Sequence, residues 1–262
     1  MEILRTGTER LTSFRFGLEI VEHVPELSEL WSEIQECIES ISDDDIIDRL
    51  SYLNSIKKRG SHKSIAPAIN SLMDERLKKF NWTPQSSIFT STGSVGSMVE
   101  STLSEIDPSS EDEDSFEDFQ IDESGKKTRT SAWTLDFSKQ VTLGDGKISG
   151  IAAEVAFNHG EAASWNLVKP VLAAEVNDRR IQTNIGEGIG VVVVASSDMK
   201  RLGNFDGAIG DFNRYLKTLD AMRSQLTTPL ILIPLGPPKK FYIQRKSTKT
   251  GAMPAGSVIL TS

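Results

Sequence analysis

Two acidic residues have the type and spacing of a site for a hard cation. Asp136 lies in the alternating segment SAWTLDFSKQVTL, and Glu154 follows in IAAEVAF, a run with no other charged residue. An ionised carboxylate in such a run costs free energy unless it is paired or bound to a metal ion. Two carboxylates that converge from adjacent strands can hold a cation such as Mg²⁺. The alternative is a salt bridge from Glu154 to Lys139 or Lys147.

The histidines and the cysteine do not have the spacing of a zinc site. His23, His62 and His159 are dispersed, and Cys37 is the single cysteine, which disfavours a zinc hydrolase. One cysteine also excludes an intramolecular disulfide framework and fits a reducing cytoplasm. The first residues lack the apolar stretch of a signal peptide, and no apolar run is long enough to span a bilayer. We therefore expect a cytoplasmic protein without membrane contact.

The elements around the two acids alternate between strand and helix patterns. Residues 131–143 and 147–157 read as strands joined by a turn at 144–146, and 159–177 reads as a helix that Pro170 kinks or divides. A buried strand (189–195), a helix (204–226) and a final apolar strand (229–235) follow. This order predicts an α/β fold with a mixed central sheet flanked by helices.

The amino-terminal part has the apolar periodicity of helices. Residues 26–41 place an apolar residue at every third or fourth position, which predicts an amphipathic helix. The acids at 43–45 are expected to cap a second helix. Residues 64–82 predict a third, with Pro67 in its first turn, where a missing N–H costs little.

Charge is distributed unevenly along the chain. There are 37 acidic and 29 basic residues, and the net charge of −8 argues against a nucleic-acid binder. Residues 101–125 hold ten of the acids and no base, so 27 acids and 29 bases remain elsewhere. We expect this stretch to be disordered. The predicted parts are a helical region (1–100), an acidic insert (101–128), a catalytic core (129–238) and a basic carboxyl-terminal segment (239–262).

The order of these motifs resembles the BglII/BamHI-like type II restriction endonucleases of the PD-(D/E)XK nuclease superfamily. The resemblance rests on Leu-Asp-Phe-Ser-Lys at 135–139, Glu-Val-Ala-Phe at 154–157, and the helix, valine-rich strand, helix and apolar strand that follow. The segments LWSEI (30–34) and IAPAINSLMDERLKKFNW (65–82) are similar to the helices that precede the nuclease core in that family. Together these regions cover roughly 28–83 and 133–238.

The resemblance implies a role for each site residue. Asp136 and Glu154 match the two metal-binding acids, and the carbonyl of Val155 would complete the protein ligands. The third catalytic position, Glu or Gln in the family, falls on Ala156, which can neither bind a cation nor orient water. We hypothesise that Ala156 is a substitution that inactivates the nuclease. The alternative is a natural member that uses another group, namely Asn158, His159 or Glu161.

Two basic segments are the predicted DNA contacts. Lysine and arginine neutralise phosphates, whereas Arg and Gln side chains can also read base edges. The alternative for each residue is an ordinary solvated surface charge. The predicted contacts are Lys57, Lys58, Arg59, Lys63, Lys239, Lys240, Gln244, Arg245 and Lys246.

The resemblance further implies a homodimeric, Mg²⁺-dependent endonuclease that cuts double-stranded DNA at a short palindrome, with a GATC-centred site as the expectation. Twofold protein symmetry matches a palindromic site. A DNA methyltransferase is the expected functional partner. The alternative is a catalytically silent DNA-binding protein that keeps the nuclease fold.

Overall fold

The computed structural model describes residues 10–57, 61–88, 119–121, 127–129, 134–157, 160–174, 185–205, 207–245 and 256–261. In chain order the elements are β1 (Thr12–Phe14), α1 (Gly17–His23), α2 (Pro25–Ser40), α3 (Asp43–Ile56), α4 (Ala66–Lys79), β2 (Thr83–Ser87), β3 (Phe119–Ile121), β4 (Lys127–Arg129), β5 (Thr134–Thr142), β6 (Ile148–Ala156), α5 (Ala163–Ala173), β7 (Ile189–Ala195), α6 (Ser197–Leu202), α7 (Phe212–Ala221), β8 (Leu230–Leu235), β9 (Phe241–Arg245) and β10 (Gly256–Leu260).

Six strands form a mixed sheet in the order β1-β8-β7-β6-β5-β2. The three strands β6, β7 and β8 are parallel, and β5, β2 and β1 are added antiparallel. Every residue of β7 and β8 is buried, as expected for parallel strands covered on both faces. The predicted α/β fold with a mixed sheet is confirmed. Both edge strands, β1 and β2, come from the amino-terminal part of the chain.

The two faces of the sheet pack against different helices. Successive residues of a strand point to opposite faces. On β6, Ile151, Ala153 and Val155 join the core that also contains α2 and α4. Ala156 belongs to the second core, which contains α5 and α7. Residues with even numbers on β6 therefore face α5.

The amino-terminal helices follow the predicted pattern closely. The buried residues of α2 are Leu27, Leu30, Trp31, Ile34, Cys37 and Ile38, the apolar stripe that the spacing predicts. The cap of α3 differs from the prediction, because Ser42 is the N-cap residue and forms a capping box with Asp45. Pro67 lies in the first turn of α4, as predicted.

Two helices in the second half of the chain differ from their predictions, one in its continuity and one in its length. Pro170 does not divide its helix, since α5 continues through it to Ala173. The helix predicted over 204–226 is confined to Phe212–Ala221, and Asp211 caps it through the backbone N–H of Arg214. The preceding segment contains Gly207 and Gly210, which disfavour a helix. A short helix, α6, was not predicted.

Outside the main sheet, β9 and β10 pair antiparallel, so part of the basic carboxyl-terminal segment forms a hairpin. Most of the acidic insert lies outside the described residues. The described part of 101–129 is the short antiparallel pair β3–β4. Among the described helices, none is long and apolar enough to cross a membrane. The boundaries of the four predicted parts stay a prediction.

Candidate active site

The two predicted acids lie opposite each other where β5 and β6 separate. The backbone register of the two strands ends at Phe137 and Ala153. Beyond that point, side chains take over the hydrogen bonding. The N–H of Asp136 donates to Oε1 of Glu154 at 3.3 Å, and the N–H of Val155 donates to Oδ2 of Asp136 at 2.7 Å. The structure therefore brings together the three residues that the sequence predicted to share a site.

Glu154 is buried and paired with a lysine that the sequence did not indicate. Its side chain is 2% exposed, and Nζ of Lys169 in α5 lies 2.8 Å from its Oε2. The two predicted partners are wrong. Lys139 points to the opposite face, where it binds both carboxylate oxygens of Glu33 at 2.8 Å. Lys147 lies 3.6 Å from Asp145 at the strand turn.

Burial dominates the electrostatics of the acid pair. Burial, and then the neighbouring Asp136, raise the pKa of Glu154 to about 8 in spite of the opposing effect of Lys169. Burial also raises the pKa of Asp136, while Lys169 and the N–H of Val155 act in the opposite direction. The folded protein thus holds two carboxyl groups in a place where the second negative charge is costly. This is an environment that favours a bound cation.

The donor atoms at the acid pair suit a hard cation. In the part of the chain that the structure describes, no three His, Cys, Asp or Glu side chains converge on a common point. A cation would therefore be held by Asp136 and Glu154, with the carbonyl of Val155 and water. That carbonyl accepts a hydrogen bond from the N–H of Phe157 at 3.3 Å, and a carbonyl oxygen has two lone pairs. Carboxylate, carbonyl and water oxygens fit Mg²⁺, which keeps several of its waters.

Ala156 offers no polar group to this site. Its side chain is 1% exposed and belongs to an apolar cluster with Ala163, Leu167 and Val192. A glutamate or glutamine at this position would place a polar group inside that cluster. Of the three substitutes predicted from the sequence, Asn158 and His159 lie outside the described residues. Glu161 is exposed in a short 3₁₀ turn at 160–162.

A cavity of about 380 Å³ lies beside the turn that contains Glu161. Lys200 and Arg214 line it together with Glu161, so that charges of both signs face the same space. Lys200 donates hydrogen bonds to the carbonyls of Gly207 and Ile209, which fixes the loop before α7. Sequence reasoning did not single out this cavity, because its residues come from three separate segments.

The predicted DNA contacts are in two segments that meet at the β9–β10 hairpin. A Cβ atom on Gly256 of β10 would lie 2.8 Å from the carbonyl oxygen of Lys63, so the hairpin lies against the end of the segment 57–63. The N–H groups of Lys239 and Lys240 donate to Asp43, and Nζ of Lys240 lies 2.7 Å from Asp44. Part of this positive charge is therefore neutralised within the protein.

The structure describes the side chains of only some of the other predicted DNA contacts. Gln244 is exposed on β9, and Lys57 and Lys63 are partly buried. Arg245 ends β9, but its side chain is outside the described part. Lys58, Arg59 and Lys246 lie outside the described residues. Their role in DNA binding stays a prediction.

Comparison with known proteins gives one family match. The family model described as restriction endonuclease BglII/BglIII matches residues 10–235. A comparison with curated proteins found no match. Among solved structures, the chain is similar to the crystal structure of restriction endonuclease BglII complexed with a DNA 16-mer. The identity is 11%, the TM-score is 0.49, and the match covers 96% of this chain and 99% of that chain. The family match alone carries weight for function.

Proposed function

Because the chain belongs to the BglII/BglIII restriction endonuclease family, we propose that it hydrolyses double-stranded DNA at a short palindromic site in a reaction that depends on Mg²⁺. The acid pair formed by Asp136 and Glu154 is the observation that carries this proposal. It supplies oxygen ligands for a hard cation at the point where β5 and β6 separate, which suits metal-assisted phosphodiester hydrolysis.

The residues of the site have distinct tasks in this reaction. A divalent cation, when bound, activates water and offsets the charge that grows on the phosphorane. Asp136 and Glu154 would hold it together with the carbonyl of Val155. The N–H of Val155 fixes one oxygen of Asp136, and Lys169 fixes one oxygen of Glu154. These contacts orient both carboxylates before the substrate arrives, so little reorganisation is needed.

Electrostatics supports the need for a cation in a second way. Two ionised carboxylates beside a DNA phosphate repel it, and burial strengthens that repulsion because the local dielectric is low. A divalent cation held by Asp136 and Glu154 would offset the charge of the two carboxylates and so remove this repulsion. DNA cleavage without a divalent cation is therefore not expected.

Recognition and assembly are proposed from the family alone. Twofold symmetry of a homodimer would match a palindrome and place one acid pair at each strand. A GATC-centred site and a partner DNA methyltransferase belong to the same proposal. The β9–β10 hairpin and the segment 57–63 supply the phosphate contacts, a proposal supported by the closeness of Lys63 to β10.

The packing of Ala156 bears on whether this chain is active. Since its methyl group is part of an apolar cluster of the described residues, alanine suits this position. This supports the second explanation, in which another group takes the role of the third catalytic residue. We therefore propose that the chain as it stands cuts DNA.

The decisive experiment treats unmethylated supercoiled plasmid with the purified protein in the presence of Mg²⁺. Discrete fragments are expected, and EDTA should abolish them. Asp136→Ala and Glu154→Ala should bind DNA but not cut it. A wild-type protein that binds duplex DNA without cleaving any of several sequence-diverse plasmids would support the alternative, a silent DNA-binding protein. Absence of both binding and cleavage would contradict both functions.

A further inference from the structure

The ammonium group of Lys169 lies beside Glu154 of the acid pair. Lys169 belongs to the helix α5, whereas the two acids belong to strands. Its side chain is 12% exposed, and Nζ lies 2.8 Å from Oε2 of Glu154. The neighbours of Lys169 on the inner face of α5 are Asn166, Leu167, Pro170 and Val171, all of them buried. A lysine on this face is costly to desolvate, and a buried ion pair is by itself weak evidence for a gain in stability. Its position therefore calls for a functional reason.

Among the described residues that follow Glu154 in β6, none adds a polar group on the face towards α5. Ala156 is the next residue after Glu154 that faces α5, and its methyl group lies within the apolar cluster. Lys169 comes from the helix that covers this face and contacts Glu154 directly. Any phosphate that binds against Asp136 and Glu154 meets this ammonium group. The flexible four-carbon stem of lysine lets Nζ move from a carboxylate oxygen to a neighbouring phosphate oxygen.

We propose that Lys169 is a catalytic residue of the DNA cleavage reaction, in which its ammonium group donates hydrogen bonds to a non-bridging oxygen of the scissile phosphate. This inference rests on the proposed nuclease function. In the reaction, the water oxygen forms a bond to phosphorus, and the bond from phosphorus to the leaving oxygen breaks. The attacking water gives its proton to solvent, and the leaving oxygen takes one from solvent. Lys169 stays protonated throughout and stabilises the charge on the phosphorane.

Lys139, which lies in β5 of the strand pair that carries the two acids, provides a matched control. Both lysines are partly buried, and each has Nζ 2.8 Å from a glutamate oxygen. Lys139 faces the other side of the sheet, where its partners are Glu33 and the carbonyl of Phe80. Lys139→Met therefore removes the same kind of salt bridge without changing the acid pair.

The test compares Lys169→Met, Lys169→Arg and Lys139→Met in three measurements. These are single-turnover cleavage of plasmid with Mg²⁺, binding of Mn²⁺ alone by calorimetry, and thermal unfolding of the metal-free protein. Lys169→Met should lower the cleavage rate about 10²–10³-fold, as expected for the loss of one charge-stabilising donor. Lys169→Arg should retain much more of the rate. Lys169→Met should bind Mn²⁺ at least as tightly as the wild type, because a competing positive charge is removed. Lys169→Arg keeps that charge and should bind Mn²⁺ about as tightly as the wild type.

Lys139→Met should lower the unfolding temperature but cut DNA at the wild-type rate when folded. If Lys169→Met does not fold, a Lys169→Ala protein supplemented with ethylammonium provides the second test, and recovery of cleavage is expected. Wild-type cleavage by folded Lys169→Met would overturn the proposal. So would a loss of Mn²⁺ binding as large as that of Glu154→Ala, since Lys169 would then only shape the carboxylate. A wild-type protein that cuts no DNA would instead contradict the proposed function.

Discussion

Glu154 combines burial, a neighbouring acid and a lysine in one position, and its ionisation has a consequence for stability. Its pKa is raised to about 8 in the folded protein, from an ordinary value of 4.5. A carboxyl group whose pKa is higher in the folded than in the unfolded protein stabilises the fold, and this contribution is complete at a pH below the unfolded pKa. That contribution is lost as the pH rises from 4.5 towards 8. In the metal-free protein, ionisation of Glu154 above neutral pH therefore lowers the free energy of unfolding.

The corresponding prediction concerns Glu154→Gln. This variant should raise the unfolding temperature of the metal-free protein at pH 8.5, with a gain on the order of 2 kcal/mol, and should raise it less at pH 5. Calorimetric scans in EDTA across this pH range provide the measurement.

Asp45→Asn serves as the control, because hydrogen bonds from Ser42 and Arg76 outweigh burial and lower the pKa of Asp45. Asp45→Asn should therefore lower the unfolding temperature at neutral pH. A destabilising effect of Glu154→Gln at pH 8.5 would contradict the assigned electrostatics.

At the level of residues, the sequence was sufficient for the acid pair but not for its lysine. Asp136 and Glu154 were recognisable because a lone charge in an apolar strand and a second acid on its neighbour form a local pattern. Lys169 depends on how α5 lies across the sheet, which no local pattern determines. The predicted partner Lys139 could have been excluded, since it lies three residues from Asp136 and must point to the other face.

Among the elements, α5 matters most to the site because it carries Lys169, and its closeness to the sheet depends on a glycine. A Cβ atom on Gly190 of β7 would lie 2.6 Å from Cβ of Pro170 and 2.3 Å from Cδ2 of Leu230. Both contacts are too short, so a side chain at this position forces α5 away from β7. Pro170, inside α5, lies at this point of close approach.

Gly190→Ala should therefore destabilise the protein by about 1–3 kcal/mol, as expected for overpacking in a close-packed core. Cleavage should also fall because α5 moves with Lys169. The matched control is Gly144→Ala, whose Cβ would make only an ordinary contact of 3.7 Å with Glu26. Denaturant unfolding and plasmid cleavage test both variants. Equal stability of the two would show that α5 can adjust without cost.

Helices with continuous apolar periodicity were predicted nearly to their ends, whereas elements set by distant contacts were not. The spacing in α2 determines its buried face directly. The helix α7 is shorter than predicted because Asp211 caps it and glycines precede it. The strands β1, β2, β9 and β10 were missed, since their pairing partners are remote in the sequence and their own patterns are short.

Over the whole molecule, the charge balance should influence DNA affinity at long range. Residues 105–118 contain eight acids, and replacing them all with Asn or Gln changes the net charge from −8 to 0. Removal of negative charge reduces repulsion of DNA, and salt screens the effect. The variant should bind duplex DNA more tightly than the wild type at 0.05 M salt, and the difference should shrink at 0.3 M.

Filter binding across a salt series measures this effect. An autoinhibitory role for the insert, in which it occupies the DNA cleft, predicts that the difference persists at high salt. Unchanged affinity at low salt would show that these acids have no influence on DNA binding.

The fold class could be predicted for the whole molecule because strand and helix patterns alternate in its second half. The order of strands in the sheet could not. Nothing local indicates that residues 12–14 and 83–87 close the two edges of a sheet whose centre is formed by β6, β7 and β8.

From these edges we predict that the two halves of the chain stay associated without the covalent link between them. In the amino-terminal half, β1 pairs with β8 and β2 pairs with β5. This half therefore forms both edge strands of the sheet whose centre belongs to the other half. Glu33 adds a contact across the same division, because it binds Lys139 of β5 as well as Trp82. A protease site inserted after residue 110 and cut to completion should leave two fragments that elute together and still cleave DNA. Separation of the fragments under native conditions would show that the chain connection, not the shared sheet, holds the halves together.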